Sequence, residues 1–267
     1  MLKIIAEGPD GKYTLPQLLQ IMKALRSPEG CPWDKEQTHQ SIKNDALEEV
    51  YEVVDAIDNN DAVALCEELG DMLLQVVFHS SIAEEENEFT FDEVVDGVSK
   101  KLVLRHPHVF GETSVENSSE VLDLWDSIKK QEKSQKTATD TLRSVSCAMP
   151  SLVRAKKVQG KAAKVGFDWP DVWGAMDKLA EELTEVSDAV NGEGNIEEEL
   201  GDLLFACINV ARMNGLSPDN ALERTNQKFI RRFNHLEKRA EEKGVSLHDM
   251  TLSEMDSYWN EAKELER

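Results

Sequence analysis

The sequence is poor in residues that staple or interrupt a chain. Its 267 residues include four cysteines, eight prolines and 14 glycines. Cys31, Cys66, Cys147 and Cys207 stand far apart and form no C-x-x-C pair, which favours reduced thiols in a cytoplasmic protein over a disulfide framework or a zinc site. No stretch approaches the roughly 18 apolar residues that a membrane span requires, and the first residues lack the apolar run of a secretory signal. Basic side chains are scarce, 30 against 52 acidic ones, for a formal net charge of −22. Such a surface repels a phosphodiester backbone and disfavours a nonspecific duplex binder. No G-x-x-x-x-G-K-S/T loop and no H-E-x-x-H pair is present, and no segment alternates as a strand does.

Apolar residues at helical spacing fill most of the chain. They predict helices over roughly 13–26, 38–58, 61–86, 91–104 and 118–132, then 148–163, 171–191, 195–214, 218–243 and 253–266. The helix over 61–86 is too rich in Leu, Met and Val to be bathed in solvent on all sides. SPEGCPWDKEQTHQS and VGFDWPD read as loops, Trp33 anchoring the first, and Pro107 ends the helix before it. The fold expected is all-α: two helical bundle modules, residues 1–132 and 148–267, joined by a polar linker over 133–147.

One carboxylate pattern occurs twice. Glu48-Glu49-x-x-Glu52 is followed by Glu68-x-x-Asp71, and Glu181-Glu182-x-x-Glu185 by Glu199-x-x-Asp202. Acids three apart share one side of a helix. If two such helices pack antiparallel, Glu49, Glu52, Glu68 and Asp71 face one cavity, as do Glu182, Glu185, Glu199 and Asp202. Four hard oxygen donors suit magnesium, with manganese as a substitute. Glu48 and Glu181 are the extra acids, able to serve a second ion or direct a water. A glycine precedes each closing aspartate, at Gly70 and Gly201. Glycine inside a helix costs on the order of 1 kcal/mol, so its repetition points to a tight helix contact or a close ligand.

The repeat extends past the acids. With Asp92 set against Asp219, Lys101 and Arg105 match Lys228 and Arg232, and Trp125 and Lys129 match Trp259 and Lys263. Lys228, Arg231 and Arg232 are spaced to share a helix face, and arginine offers a two-pronged grip on phosphate oxygens. Trp259 is a candidate to stack on a base, and either tryptophan equally suits a core. The six histidines show no ligand spacing and are expected to be structural.

CPWDKEQTH, LEEVYEVVDAI, EELGDMLLQVVFH and RHPHVFG in the first half, with VGFDW, EEELGDLLFA, NQKFIRRF and YWNEAKE in the second, resemble the MazG family of all-α nucleoside triphosphate pyrophosphohydrolases over nearly the whole chain. The resemblance implies magnesium-dependent hydrolysis of NTPs and dNTPs between the α and β phosphates, giving a monophosphate and pyrophosphate. It implies a homodimer whose active sites are built near packed helices of both subunits. It carries the metal-ligand role to the eight acids named above and substrate binding to Lys228, Arg232, Trp259, Lys263, Lys101, Arg105, Trp125 and Lys129. Glu181 or Glu182, and by repetition Glu48 or Glu49, are the candidates to polarise the attacking water. Thr184 departs from a position often acidic in the family, but it is not a ligand position. Two rival readings remain: a noncatalytic helical module that binds nucleotides or a protein, and a narrow dUTP or dCTP pyrophosphatase.

Overall fold

A computed structural model describes residues 10–132 and 137–266. Among them every regular element is helical: α1 (Leu15–Arg26), α2 (Pro32–Glu36), α3 (Asp45–Asp58), α4 (Ala62–Glu85), α5 (Phe91–Arg105), α6 (Pro107–Phe110), α7 (Ser118–Glu132), α8 (Ala138–Arg143), α9 (Ser151–Ala163), α10 (Val172–Val190), α11 (Ile196–Met213), α12 (Pro218–Lys243) and α13 (Leu252–Leu265), with one 3-10 turn at Leu247–Asp249. The chain divides into two compact units at Lys129/Lys130.

In the first unit, α3 and α4 form an αα-hairpin. Asn60 turns the chain in a left-handed conformation at φ 55°. The Asp61 carboxylate then accepts hydrogen bonds from the Val63 and Ala64 amides, both at 3.0 Å, and starts α4. The core, Met22, Ile42, Val77, Phe78 and Ile82, joins α1 to the C-terminal half of α4. Arg26 closes this core from above. It is buried, its guanidinium grips Glu85 through two bonds of 2.8 and 2.7 Å, and it donates to the Asp34 and Gln37 carbonyls. The CPWDKEQ segment is thereby tied to the bundle and folds in part as α2. Trp33 meets Phe78 edge-on at 6.5 Å but stays exposed.

The second unit repeats the hairpin with α10 and α11. Asp171 caps α10, and Gly192 and Gly194, at φ 97° and 130°, make the turn that other residues rarely adopt. Helix α9 lies on α11, where the Gln159 amide donates to the Phe205 carbonyl at 2.8 Å. Helices α12 and α13 pair through Leu236, Ala240, Tyr258 and Ala262. Gly244, left-handed at φ 65°, terminates α12.

One local expectation changes, and two gain detail. The helix placed over 38–58 begins only at Asp45, because Thr38 and Ser41 bond each other's backbone amides at 2.9 and 3.2 Å and hold a turn instead. The stretch read as linker contains α8, which packs on α9 with Thr141 and Val145 buried; residues 133–136 lie outside the described residues. And α4 is buried only over its second half. Leu69, Leu73 and Val76, beside the acids, are exposed.

Candidate active site

The two hairpins bring most of the predicted acids together. In the first module one oxygen each of Glu49, Glu52 and Glu68 lie within 4.8 Å of one another; in the second the trio is Glu182, Glu199 and Asp202. Each trio draws on both helices of its hairpin. The fourth acid stands close by without joining it. Asp71 acts electrostatically on Glu49 and Glu68, and Glu185 on Glu182.

Charge crowding shows in the protonation of these groups. Partial burial, then the carboxylates around it, push Glu49 above the usual carboxylate range, against the pull of the Gln75 amide 3.5 Å away. Glu68 is raised by burial and by Glu67, Asp71 and Glu49. In the second module Glu185 is raised, first by its contact with Glu182. Glu182 moves the other way, because Lys178 donates to it. The Lys178 ammonium lies 2.7 Å from an oxygen of Glu181 and 2.7 Å from Oε1 of Glu182. Glu182 is only 4% exposed, and its second oxygen, Oε2, is buried with no donor.

A buried carboxylate oxygen without a donor, beside two further acids, is a site short of positive charge. Hard carboxylate oxygens from two helices suit a divalent cation such as magnesium. The donor set therefore fits the group that the sequence implies.

The glycines of the E-L-G-D segments do not mark a tight helix contact. A Cβ at Gly70 or Gly201 would meet nothing within 4 Å. The space beside Asp71 and Asp202 is open, which leaves close approach from outside the module as the remaining use of a glycine there.

The basic and aromatic residues form a second repeated arrangement. The Arg105 guanidinium carbon lies 5.2 Å from the Trp125 ring centre, and that of Arg232 lies 5.8 Å from Trp259. Both tryptophans are half-buried. Trp259 also packs on Phe229 at 4.9 Å and Trp125 on His106 at 4.9 Å. Arg232 is held by Glu266 through bonds of 2.8 and 2.7 Å, while Arg231 reaches the same carboxylate at 3.6 Å. Lys228 is half-buried on α12; Lys101 on α5 and Lys263 on α13 are exposed, and Lys129 on α7 is half-buried.

Sequence reasoning missed Lys178, Gln75 and Glu266. Lys178 was within reach, since it precedes Glu181 and Glu182 by three and four residues on one helix. Glu266 stands two turns beyond Trp259. Gln75 is one turn beyond Asp71, but nothing in its neighbourhood marks it. The structure also pairs His39 with His79, Nδ1 to Nδ1 at 2.7 Å with stacked rings, and sets His39 beside Glu86 and Glu88.

An all-α chain that twice presents clustered carboxylates from a helical hairpin, with an arginine–tryptophan pair in each half, defines a class of duplicated acid-hairpin protein. A family model described as the MazG nucleotide pyrophosphohydrolase domain matches residues 37–110 and 174–237. Over 257 residues the chain is 45% identical to a nucleoside triphosphate pyrophosphohydrolase of Escherichia coli K12, covering 94% of this chain and 98% of that protein. It is 41% identical over 247 residues to the nucleoside triphosphate pyrophosphohydrolase/pyrophosphatase MazG of Thermotoga maritima, covering 92% and 94%. A crystal structure of a MazG-related protein from Thermotoga maritima aligns with 43% of this chain and 99% of its own, at 28% identity and a TM-score of 0.38. The chain belongs to the MazG family.

Proposed function

We propose that this chain hydrolyses nucleoside triphosphates, ribo- and deoxyribo- alike, to the monophosphate and pyrophosphate with magnesium as the cofactor. The convergence of acids from two helices in both modules carries this reading, together with the near full-length similarity to named pyrophosphohydrolases.

Glu182, Glu185, Glu199 and Asp202 would hold the cation in the second module, and Glu49, Glu52, Glu68 and Asp71 in the first. Such an ion neutralises triphosphate charge and makes a water more acidic when bound. The residues of the chain supply the rest. Glu181, or Glu48 in the first module, lies outside the ligand set on the adjoining helix position and accepts a hydrogen bond or proton from the attacking water; Glu182 and Glu49 orient it. Arg232 and Lys228, with Arg231 and Lys263 beside them, bind phosphate oxygens. Arg105, Lys101 and Lys129 do so in the first half. Trp259 and Trp125 offer a flat apolar face to a base, which tolerates any base and so supports a broad range. No nucleophile from the protein enters, and rate comes from charge placement and orientation.

The working form is a homodimer. Leu47, Val50, Val54, Ile57, Leu69, Leu73 and Val76 of the first hairpin, and Met176, Leu183, Val190, Leu200 and Leu204 of the second, are exposed at helical spacing. Apolar stripes of that kind are ordinarily covered by a partner, and the open Cβ directions at Gly70 and Gly201 allow close approach there. Four free cysteines suit the cytoplasm. The net charge of −22 disfavours nucleic acid as a partner, and among the described residues no helix is long and apolar enough to cross a membrane.

Turnover of the eight common NTPs and dNTPs with and without magnesium tests the reading. Hydrolysis of most of them, abolished by chelation, is expected. Activity on dUTP or dCTP alone would replace breadth with a narrow enzyme, and no turnover of any would leave a binding module.

A further inference from the structure

The two acid sites are not equivalent, and one charged residue beside the ligands differs in sign between them. In the second module the Lys178 ammonium bridges Glu181 and Glu182 Oε1, each at 2.7 Å. It divides the two oxygens of a buried carboxylate: Oε1 is neutralised, and Oε2 is left without a donor in the cluster. In the first module the residue four positions before Glu49 is Asp45. Among the described residues, Glu49 Oε1 receives the neutral Gln75 amide, at 3.5 Å. The corresponding position thus changes from a positive to a negative side chain, while all four candidate ligands stay acidic in both modules.

We propose that Lys178 is a positioning residue that serves as the resident counter-cation of the second site. It holds Glu182 in place and weakens binding of a free divalent ion, so that this module takes its metal together with a triphosphate, while the first module binds free metal. This rests on reading the acids as metal ligands. The triphosphate brings negative charge of its own, which offsets the ammonium and offers it a new partner. The first site, with Asp45 where the second has Lys178, needs no such help.

Manganese binding, read by electron paramagnetic resonance on the full chain, tests it. With the first site disabled by E49Q/E52Q/E68Q, Lys178→Met raises the affinity of the second site for Mn2+ alone about tenfold. That is the scale expected for repulsion between a unit and a double charge roughly 5 Å apart in water. Lys178→Arg keeps the parental affinity. Adding α,β-methylene-ATP tightens Mn2+ at the parental second site about tenfold or more, and K178M loses much of that gain. In the reciprocal chain, with E199Q/D202N, Asp45→Lys, a change of two unit charges, weakens the first site about tenfold or more. Circular dichroism confirms that each variant keeps its helix content. Unchanged or weaker Mn2+ binding in K178M, or equal free-metal affinity at the two parental sites, overturns the proposal. If neither site binds Mn2+ with or without nucleotide, the metal reading itself fails, a separate result.

Discussion

The Arg232 guanidinium lies against Trp259, its central carbon 5.8 Å from the ring centre, while both prongs hold Glu266. The arginine proposed to grip phosphate and the tryptophan proposed to face a base are therefore already held together on α12 and α13, with the Glu266 carboxylate on the guanidinium. Arg105 and Trp125 repeat the pair in the other half.

Trp259→Ala is expected to raise KM for ATP about tenfold or more, on the scale of base–aromatic stacking measured by alanine substitution. Trp259→Phe recovers part of the loss, because it keeps a flat face. Steady-state kinetics with ATP and UTP should show similar losses for both bases. A fall in kcat with KM unchanged would place Trp259 outside the base-binding surface.

The acids set the largest effects. Glu199→Gln or Asp202→Asn should lower magnesium-dependent turnover about 100-fold or more, since each replaces a charged carboxylate of the trio with a neutral amide. The same changes at Glu68 and Asp71 report on the first module. Full activity after both second-module changes would move the main site to the first.

Protonation of the clusters gives a thermal signature. Glu49, Glu68 and Glu185 are raised above the ordinary carboxylate value of 4.5. The folded protein therefore binds these protons more tightly than the unfolded chain does, and stability is gained as pH falls towards 4.5 and lost as pH rises through the raised values. Metal-free protein should melt at a higher temperature near pH 5 than E49Q/E68Q/E185Q does relative to their values at pH 7. Below about 4.5 the trend reverses, because Asp168, Glu182 and Glu266 are held low by Arg212, Lys178 and Arg232 and lose those partners when protonated. Magnesium at pH 7 should raise the melting temperature and flatten the dependence above 4.5. Differential scanning calorimetry across pH 4–8 checks both signs.

Arg26 is the structural counterpart. Its charged hydrogen bonds to Glu85 and to the Asp34 and Gln37 carbonyls, made from a buried position above Phe78, predict that Arg26→Ala costs about 2–3 kcal/mol. Arg26→Lys restores little, since an ammonium lacks the fork. Urea denaturation measures the difference.

The helices were legible where punctuation was strong. Ser217 and Pro218 at one end of α12 and left-handed Gly244 at the other mark its limits in the sequence. The start of α3 was hidden, because Ile42 keeps the helical apolar spacing and is buried, yet sits in a turn held by Thr38 and Ser41. The acid hairpins were readable from spacing alone. Which three oxygens converge was not, since that depends on rotamers and on the handing of Glu182 Oε1 to Lys178. That α4 is not bathed in solvent on all sides was legible from its Leu, Met and Val, but which part is covered was not, because hydrophobicity does not say where the cover lies.

The proposed reaction breaks the bond between the α and β phosphates. Phosphorus-31 NMR of the products from magnesium and ATP tests it most directly. AMP and pyrophosphate are expected as the only initial products, and neither after chelation. ADP and orthophosphate as the products would contradict it.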